Sequence, residues 1–186
     1  MNRRRFLLMS LLAMISQRVM AFLKVSPSDQ EGPFYPVVSI PPDSNLVHHA
    51  GGVAGGRHLE LKGRVINPQQ RPQSNVRVEI WQCDGSGRYR HPWAPGNDRV
   101  DPHFAGFGSV TTGSNGVYRF KTLIPVPYGG RPPHIHVKLF HANRELLISQ
   151  LYLRGQVSQY ASQQMVIDPR SVGHNQWRAD CDFVIA

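Results

Sequence analysis

Residues 128 to 136 read Tyr128-Gly-Gly-Arg-Pro-Pro-His-Ile-His136, and this stretch decides how the segment around it folds. Its two prolines fix φ and disfavour a helix, so the chain is expected to leave them as an extended strand. Side chains alternate between the two faces of a strand, which places His134 and His136 on one face and Ile135 on the other. Two imidazoles on one face are either half of a metal site or two polar residues on a solvated surface.

Two tyrosines are candidates for the same site, Tyr128 in this stretch and Tyr89 earlier in the chain. Tyr89 lies in a loop that opens with Asp84-Gly-Ser-Gly87, directly after the alternating residues of a predicted strand. Phenol is a poor ligand because its pKa is about 10, but a strongly Lewis-acidic trivalent metal displaces the phenolic proton. Two tyrosinates with two neutral imidazoles therefore favour ferric iron. A zinc site built from the histidines and a carboxylate is an alternative, although no nearby carboxylate has a persuasive spacing.

The pattern of the remaining sequence favours an all-β protein. Residues of alternating polarity predict strands, separated by clusters of Gly, Pro, Asn and Asp, and the only helix we expect is a short one near residues 158–165. We predict an antiparallel β-sandwich of about eight strands, transthyretin-like, with long loops. Gly113–Gly116 predicts a hairpin turn between two of these strands. The main predicted strands are 58–66, 76–82, 107–112, 117–122, 134–141, 145–153 and 181–185.

The chain is expected to divide into three parts. Residues 1–21 contain three consecutive arginines and an apolar run that is shorter than the roughly 20 residues needed to span a bilayer, which predicts an export signal. Arg3–Leu7 fits a twin-arginine signal, with an ordinary Sec signal or an uncleaved anchor as alternatives, and the predicted location is periplasmic. Residues 22–57 are rich in Pro and Gly and predict an irregular N-terminal arm. Residues 58–186 are predicted to form the β-sandwich domain.

Charge and cysteine content bear on the partners of the protein and on whether it contains a disulfide. The chain has 21 Lys and Arg against 12 Asp and Glu, and four of the arginines lie in the predicted signal, which leaves 17 basic against 12 acidic residues. These basic residues are scattered, so the sequence predicts no nucleic-acid partner. Cys83 and Cys181 could form a disulfide in an oxidising compartment or remain buried free thiols.

Five pieces of the sequence, taken in order, resemble the intradiol ring-cleavage dioxygenases, a family that includes protocatechuate 3,4-dioxygenase, catechol 1,2-dioxygenase and hydroxyquinol 1,2-dioxygenase. Any one piece is weak, but the ordered set is specific and covers roughly residues 28 to 155. The pieces are Glu31–Pro36, Val78–Tyr89, Gly116–Phe120, Arg131–His136 and Ser149–Tyr152.

The resemblance implies an oxidoreductase, with residues 58–186 as its catalytic domain. Such an enzyme cleaves a catechol-type ring between the two hydroxylated carbons, incorporates both atoms of O₂ and gives a muconate-type diacid. The resemblance implies Fe(3+) as the cofactor, held by Tyr89, Tyr128, His134 and His136. It also implies a small aromatic diol and O₂ as the substrates that bind at the site. A homo-oligomer is one possible assembly of the protein.

The resemblance further implies roles for residues around the iron. Tyr128 leaves the metal and takes a substrate proton, Arg131 stabilises negative charge on the ring, and Gln150 is a polar residue of the pocket. Tyr35 is expected near the substrate. The residues alone also allow simpler interpretations: Arg131 as a surface arginine, Gln150 as a strand-edge amide and Tyr35 as an aromatic of the arm packed against the sheet. Only Gly129-Gly130 separates Tyr128 from Arg131, a shorter link than in the better-known members, which leaves the substrate open.

Some observations also fit a protein without redox chemistry. A transthyretin-like β-sandwich that binds a small ligand or a protein shares the predicted strands, because strand pattern supports a fold and not an activity. Such a binding module has no need of two tyrosines and two histidines together. We expect Trp81 and Phe120 in the core, and His91 and His103 facing solvent.

Overall fold

The computed structural model describes residues 22–157 and 163–186, and these residues form a β-sandwich with small additions. Within these ranges there are twelve strands and two short 3-10 helices, and no helix is long and apolar enough to cross a membrane. The strands are β1 (His48–His49), β2 (Gly52–Val53), β3 (His58–Ile66), β4 (Val76–Trp81), β5 (Phe107–Thr111), β6 (Val117–Leu123), β7 (His134–His141), β8 (Arg144–Leu153), β9 (Val166–Ile167), β10 (Arg170–Gly173), β11 (Gln176–Asp180) and β12 (Phe183–Val184). The 3-10 helices are Asn97–Arg99 and Gln163–Met165.

Ten of the twelve strands make two five-stranded sheets, and β1 pairs with β2 in a separate two-stranded sheet. This architecture confirms the all-β fold class. In sheet I, β3 lies between β6 on one side and β11 and β12 on the other, with β10 next to β11. Sheet II has the order β5-β4-β7-β8-β9. Most pairs are antiparallel, as predicted, but β9 runs parallel to β8, and β11 and β12 run parallel to β3.

The core lies between the two sheets and follows the alternation of the strands. Leu59 and Leu61 of β3 face Ile135, Val137 and Leu139 of β7 across it, all at most 1% exposed. Burying one such side chain stabilises the fold by about 1.5–3 kcal/mol relative to leaving it in water. The prediction that Phe120 is a core aromatic is confirmed by its place in the same cluster.

The predicted hairpin at Gly113–Gly116 is wrong, although a turn does form there. The amide of Gly116 donates to the carbonyl of Gly113 at 2.9 Å, but β5 pairs with β4 in sheet II while β6 pairs with β3 in sheet I. The amide of Val65 in β3 donates to the carbonyl of Gly116 at 2.8 Å. A Cβ on Gly116, where φ is +69°, would lie 2.6 Å from the carbonyl oxygen of Val65. The glycine therefore allows close approach to β3, and the turn carries the chain from one sheet to the other.

The C-terminal region contains more structure than its polar sequence indicates. Strands β9, β10 and β11 were not predicted, because these short, largely polar segments lack a clear alternating pattern. The short helix expected near residues 158–165 falls partly outside the described residues, and Gln163–Met165 forms one 3-10 turn. The export signal predicted for residues 1–21 lies wholly outside them, and the three-part division of the chain stays a prediction.

Candidate metal centre

Strand β7 presents His134 and His136 on the outer face of sheet II, as its alternation predicts. His134 and His136 are each 1% exposed, while Ile135 between them points into the core. Cross-strand register brings Trp81 of β4 and Gln150 of β8 beside His136. Because the outer face of a sheet is normally solvated, two buried histidines there require a cover supplied by the rest of the chain.

Four donor atoms meet above this face. The Nε2 atoms of His134 and His136 lie 3.0 Å apart. The hydroxyl of Tyr89 is 3.1 Å from Nε2 of His136, and the hydroxyl of Tyr128 is 3.4 Å from Nε2 of His134. The structure thus brings together the four side chains that the sequence singles out as metal ligands.

The hydrogen bond made by His134 orients its ring for metal binding. Its Nδ1 lies 2.7 Å from the carbonyl oxygen of Pro132. A carbonyl only accepts, so Nδ1 carries the proton and the lone pair of Nε2 points into the cluster. The second histidine lacks such a partner, since Nδ1 of His136 is buried without a hydrogen bond among the described residues.

Burial keeps all four side chains neutral in the absence of a cation. It lowers the pKa of His136 to about 2, and the nearby His134 and Arg131 add to this effect. Burial also lowers the pKa of His134, with Arg131 acting in the same direction. Burial likewise raises the pKa of Tyr89 and of Tyr128, so phenolates are disfavoured here without a positive charge beside them. Two neutral imidazoles, one buried phenol and one half-buried phenol fit a strongly charged cation that supplies this charge, which is the chemistry of ferric iron with tyrosinate ligands.

The described residues do not form a carboxylate-based metal site. Among residues 22–157 and 163–186, no group of three or more His, Cys, Asp or Glu side chains lies close enough to hold a metal ion. The alternative of zinc bound by the two histidines and a carboxylate therefore finds no third ligand in this part of the chain. Cys83 and Cys181 do not supply one either, since both are buried free thiols, and they form no disulfide.

Tyr89 reaches the cluster because its loop is organised by a buried carboxylate that sequence reasoning missed. Asp84, 2% exposed, accepts hydrogen bonds from the backbone amides of Ser86 and Arg88 through Oδ1. Its Oδ2 accepts from the amide of Asp101, seventeen residues away. One side chain thereby ties both ends of the loop together. Asp84 follows a strand at the start of a glycine-containing turn, which is the local signal for such an Asx turn.

Tyr128 and Arg131 are held side by side by the two glycines between them. Gly129 and Gly130 have φ of +51° and +76°, and the amide of Arg131 donates to the carbonyl of Tyr128 at 2.7 Å. Positive φ at both central positions is typical of a type I′ turn, which glycine adopts without strain. The guanidinium of Arg131 donates to Oε1 of Gln150 at 2.8 Å, so these two predicted site residues are in direct contact.

The N-terminal arm covers the cluster. Gly32, with φ of +76°, packs so closely that a Cβ there would lie 3.1 Å from Cε1 of His136. Phe34 contacts both tyrosines, with ring centroids 4.9 Å from Tyr89 and 6.5 Å from Tyr128. Phe34 was not among the predicted site residues; its only sequence signal is its place between Gly32-Pro33 and Tyr35. The hydroxyl of Tyr35 donates to Glu79 at 2.8 Å.

Of two expectations about side chains beside the site, one is confirmed and one is wrong. Trp81 is a core aromatic, as expected, but it lies in a second buried cluster where its ring stacks on His136 at 4.8 Å with 8° between the planes. His91 was expected to face solvent and is instead 3% exposed, because Phe34 of the arm packs against it. The burial of His91 could not be predicted because the arm that covers this outer surface is distant in sequence.

A separate cleft of about 260 Å³ opens elsewhere, beside sheet I. Its walls include His58, Glu60 and Trp177, and none of the four candidate ligands. We assign the chemistry to the buried cluster on sheet II, because convergent donor atoms and shifted pKa values mark a reactive site more strongly than open volume does.

Comparison with known proteins agrees with this geometry. The family model described as "Dioxygenase" matches residues 30–181. The chain is 35% identical over 151 residues to the protocatechuate 3,4-dioxygenase beta chain of Burkholderia cepacia, covering 74% of this chain and 63% of the relative. It is 29% identical over 142 residues to hydroxyquinol 1,2-dioxygenase of Corynebacterium glutamicum, covering 67% and 44%. The chain thus spans less than two thirds of the length of these curated relatives.

Solved structures extend the likeness to nearly the whole chain. A dioxygenase domain from a carbohydrate-binding fusion protein of Streptomyces sp. SirexAA-E superposes with a TM-score of 0.72 at 28% identity, covering 87% of this chain and 97% of that one. An intradiol ring-cleavage dioxygenase from Tetranychus urticae has a TM-score of 0.70 at 22% identity, which shows the shared fold. The family match, the fold and the ordered sequence pieces agree, and this chain belongs to the intradiol ring-cleavage dioxygenase family.

Proposed function

We propose that this protein is a non-haem iron(III) intradiol dioxygenase. It cleaves a catechol-type ring between the two hydroxylated carbons with O₂ and gives a muconate-type diacid. The observation that carries this proposal is the meeting of four donor atoms, from Tyr89, Tyr128, His134 and His136, at separations of 3.0 to 3.4 Å. A binding module gains nothing from burying such a set, because each polar group removed from water costs free energy unless it finds a partner.

When bound, iron(III) would act as a Lewis acid that keeps the tyrosines deprotonated and makes the catechol ring reactive toward O₂. His134 and His136 would bind through Nε2, and Tyr89 through its phenolate oxygen. Tyr128 is the better candidate for the base that takes a substrate proton, because it is half-buried while Tyr89 is 3% exposed. Held as a phenolate beside a catechol hydroxyl, Tyr128 would be placed to accept that proton.

The surrounding side chains suit a reaction that passes through negative charge on an aromatic ring. Arg131 contributes a permanent positive charge at the edge of the cluster, and Gln150 holds its guanidinium. Phe34 and Trp81 exclude water from the donor atoms on two sides, which strengthens electrostatic interactions inside the site. The Gly129-Gly130 turn adds no side chain to the pocket, so the substrate is proposed only as a catechol-type ring.

The test is the visible absorption spectrum of the purified protein together with its iron content. Tyrosinate bound to iron(III) gives a charge-transfer band, so the protein should be red, and the band should shift when catechol is added. Oxygen consumption matched by formation of a muconate-type product completes the assignment. A protein that stays colourless and inactive after ferric reconstitution would instead support the transthyretin-like binding module.

We further propose that residues 1–21 direct export to the periplasm. The support is the arginine-rich start followed by a short apolar run. Fractionation of expressing cells, with mass spectrometry of the recovered chain, tests this. Replacing Arg4 and Arg5 by lysine should hold the protein in the cytoplasm if the twin-arginine reading is right, and should leave export unchanged for an ordinary Sec signal.

A further inference from the structure

A chain of hydrogen-bonded side chains connects the N-terminal arm to Arg131. Arg131 donates to Oε1 of Gln150 at 2.8 Å, and the hydroxyl of Tyr152 lies 2.9 Å from the same oxygen. That hydroxyl is also 2.8 Å from Oδ2 of Asp29, which belongs to the arm. Nε2 of Gln150 donates to the carbonyl of Gln30 at 2.7 Å. Two arm residues and two residues of β8 therefore form one hydrogen-bonded network, and Gln150 connects this network to Arg131.

The amide of Gln150 is locked in a single orientation by these contacts. It is fully buried, its oxygen faces Arg131 and Tyr152, and its nitrogen faces a carbonyl that can only accept. Flipping the amide would place a donor against Arg131 and an acceptor against the carbonyl of Gln30, losing both hydrogen bonds. The guanidinium of Arg131 thus has an acceptor of fixed position.

Tyr152 is the residue at which the arm, the histidines and Gln150 meet. Its register on β8 places it opposite His134, and the two ring centroids are 5.9 Å apart. Its single hydroxyl proton lies between two oxygen acceptors, Oδ2 of Asp29 and Oε1 of Gln150, and is shared by them in a bifurcated hydrogen bond. The arm is attached at the same point, since the amide of Asp29 donates to the carbonyl of Ile148 at 2.9 Å.

We propose that Asp29 and Tyr152 are positioning residues that hold Gln150 and, through it, the guanidinium of Arg131. The N-terminal arm thereby completes the active site in addition to covering it. This inference rests on the proposed function, in which Arg131 stabilises negative charge on the ring during turnover. Tyr152 and Asp29 act only through Gln150 and Arg131.

The first experiment is a double-mutant cycle between Tyr152→Phe and Arg131→Ala on the iron-loaded full chain. Tyr152→Phe removes the hydroxyl and keeps the ring beside His134. In the wild-type background kcat should fall about tenfold, while iron content and the charge-transfer band stay unchanged. In the Arg131→Ala background the same change should alter kcat by less than about twofold, because the residue it positions is gone. Equal losses in both backgrounds would overturn the proposal.

The matched control is Tyr118→Phe. Tyr118 is also a buried tyrosine, and its hydroxyl donates to the carbonyl of Cys181 at 2.7 Å, remote from the cluster. This variant should lower the melting temperature and leave kcat of the folded enzyme unchanged. If kcat of Tyr118→Phe falls as much as that of Tyr152→Phe, the loss of any buried hydrogen bond explains the result, and the positioning role is contradicted.

A second measurement needs no turnover and separates this inference from the proposed function. Phenylglyoxal modifies arginine side chains, and mass spectrometry of the peptide containing Arg131 gives its rate. Modification should be several-fold faster in Tyr152→Phe and in Asp29→Asn than in the wild type or in Tyr118→Phe. If the wild-type protein proves colourless and inactive but Arg131 still becomes more reactive, the proposed function fails and the hydrogen-bonded positioning stands. If the rate of Arg131 modification is unchanged in both Tyr152→Phe and Asp29→Asn, the positioning role is overturned.

Discussion

Sheet II buries side chains on both of its faces, and the two buried regions are built differently. On the inner face, side chains such as Ile135 and Leu139 form an aliphatic core that needs no hydrogen bonds. On the outer face, the cluster around Trp81, Tyr89 and His136 is aromatic and polar. Both side-chain atoms found buried without a hydrogen bond in the described residues lie here, Nε1 of Trp81 and Nδ1 of His136.

The difference shows what each region is for. The core stabilises the fold through packing alone, whereas an unsatisfied buried polar group costs about 1–3 kcal/mol. The outer cluster therefore reduces stability locally and concentrates donor atoms where water is excluded. Sites that combine these features are typical of function, and they persist because the rest of the structure is stable enough to support them.

The largest expected effect is on the outer cluster, from replacing His136 with alanine. Losing one imidazole ligand should abolish iron binding and lower turnover by at least about 10³-fold, while the core still folds. Metal analysis, the visible spectrum and an activity assay measure this. The control is His141→Ala at the exposed end of the same strand, which should keep both iron and activity. Normal iron content in His136→Ala would remove this residue from the ligand set.

Tyr128→Phe should give the next largest effect. The variant keeps the aromatic ring, so the fold and the melting temperature should stay close to wild type. Turnover should fall by about 10² to 10⁴-fold, the usual contribution of a positioned general base. Steady-state kinetics with catechol test the prediction, and full activity would exclude the role in proton transfer.

Leu61→Ala should lower the stability of the fold without changing iron binding, because Leu61 belongs to the aliphatic core and not to the outer cluster. Leu61 is fully buried, and such truncations cost about 2–5 kcal/mol of unfolding free energy through lost burial and cavity formation. Denaturant unfolding measures the loss. Iron content per folded molecule should be unchanged at low temperature; a folded but iron-free variant would show that the two regions are coupled.

Replacing two glycines of positive φ should give a smaller effect on iron binding and tests whether the arm constrains His136. Gly32→Ala and Gly155→Ala both force alanine into the left-handed region, at a cost of about 1–2 kcal/mol. Only Gly32 lies against His136, at 3.1 Å from the position of an added Cβ, whereas Gly155 has no atom within 4 Å of that position. Iron titration should therefore show weaker binding for Gly32→Ala alone. Equal iron affinities in the two variants would mean that the arm does not constrain His136.

The smallest effect is expected from alkylating the native thiols. Burial raises the pKa of Cys83 to about 11 and that of Cys181 to about 12, so little reactive thiolate exists at pH 8. Iodoacetamide should add no label to the folded protein and two labels after unfolding, as counted by mass spectrometry. A protein that takes no label even when unfolded would contain a disulfide between them.

Much of the site could be predicted from local sequence, because strand geometry is local. The alternation of His134, Ile135 and His136 assigns each side chain to a face without knowledge of the partner strand. The glycine pair after Tyr128 likewise encodes its own tight turn. The two tyrosines could be assigned to the cluster only through chemical reasoning and family resemblance, since they lie 39 positions apart in sequence.

What the sequence by itself determined is the β class, the strands from 58 to 153, and which face of β7 carries imidazoles. Only the tertiary structure decided which strands share a sheet, since the same turn at Gly113–Gly116 serves a hairpin or a crossover equally well. It also decided that Phe34 and Gly32 of the arm cover the histidines and bury His91. The physical reason is range: alternation and turn preference act between neighbours along the chain, whereas sheet pairing and burial depend on contacts between segments far apart in sequence.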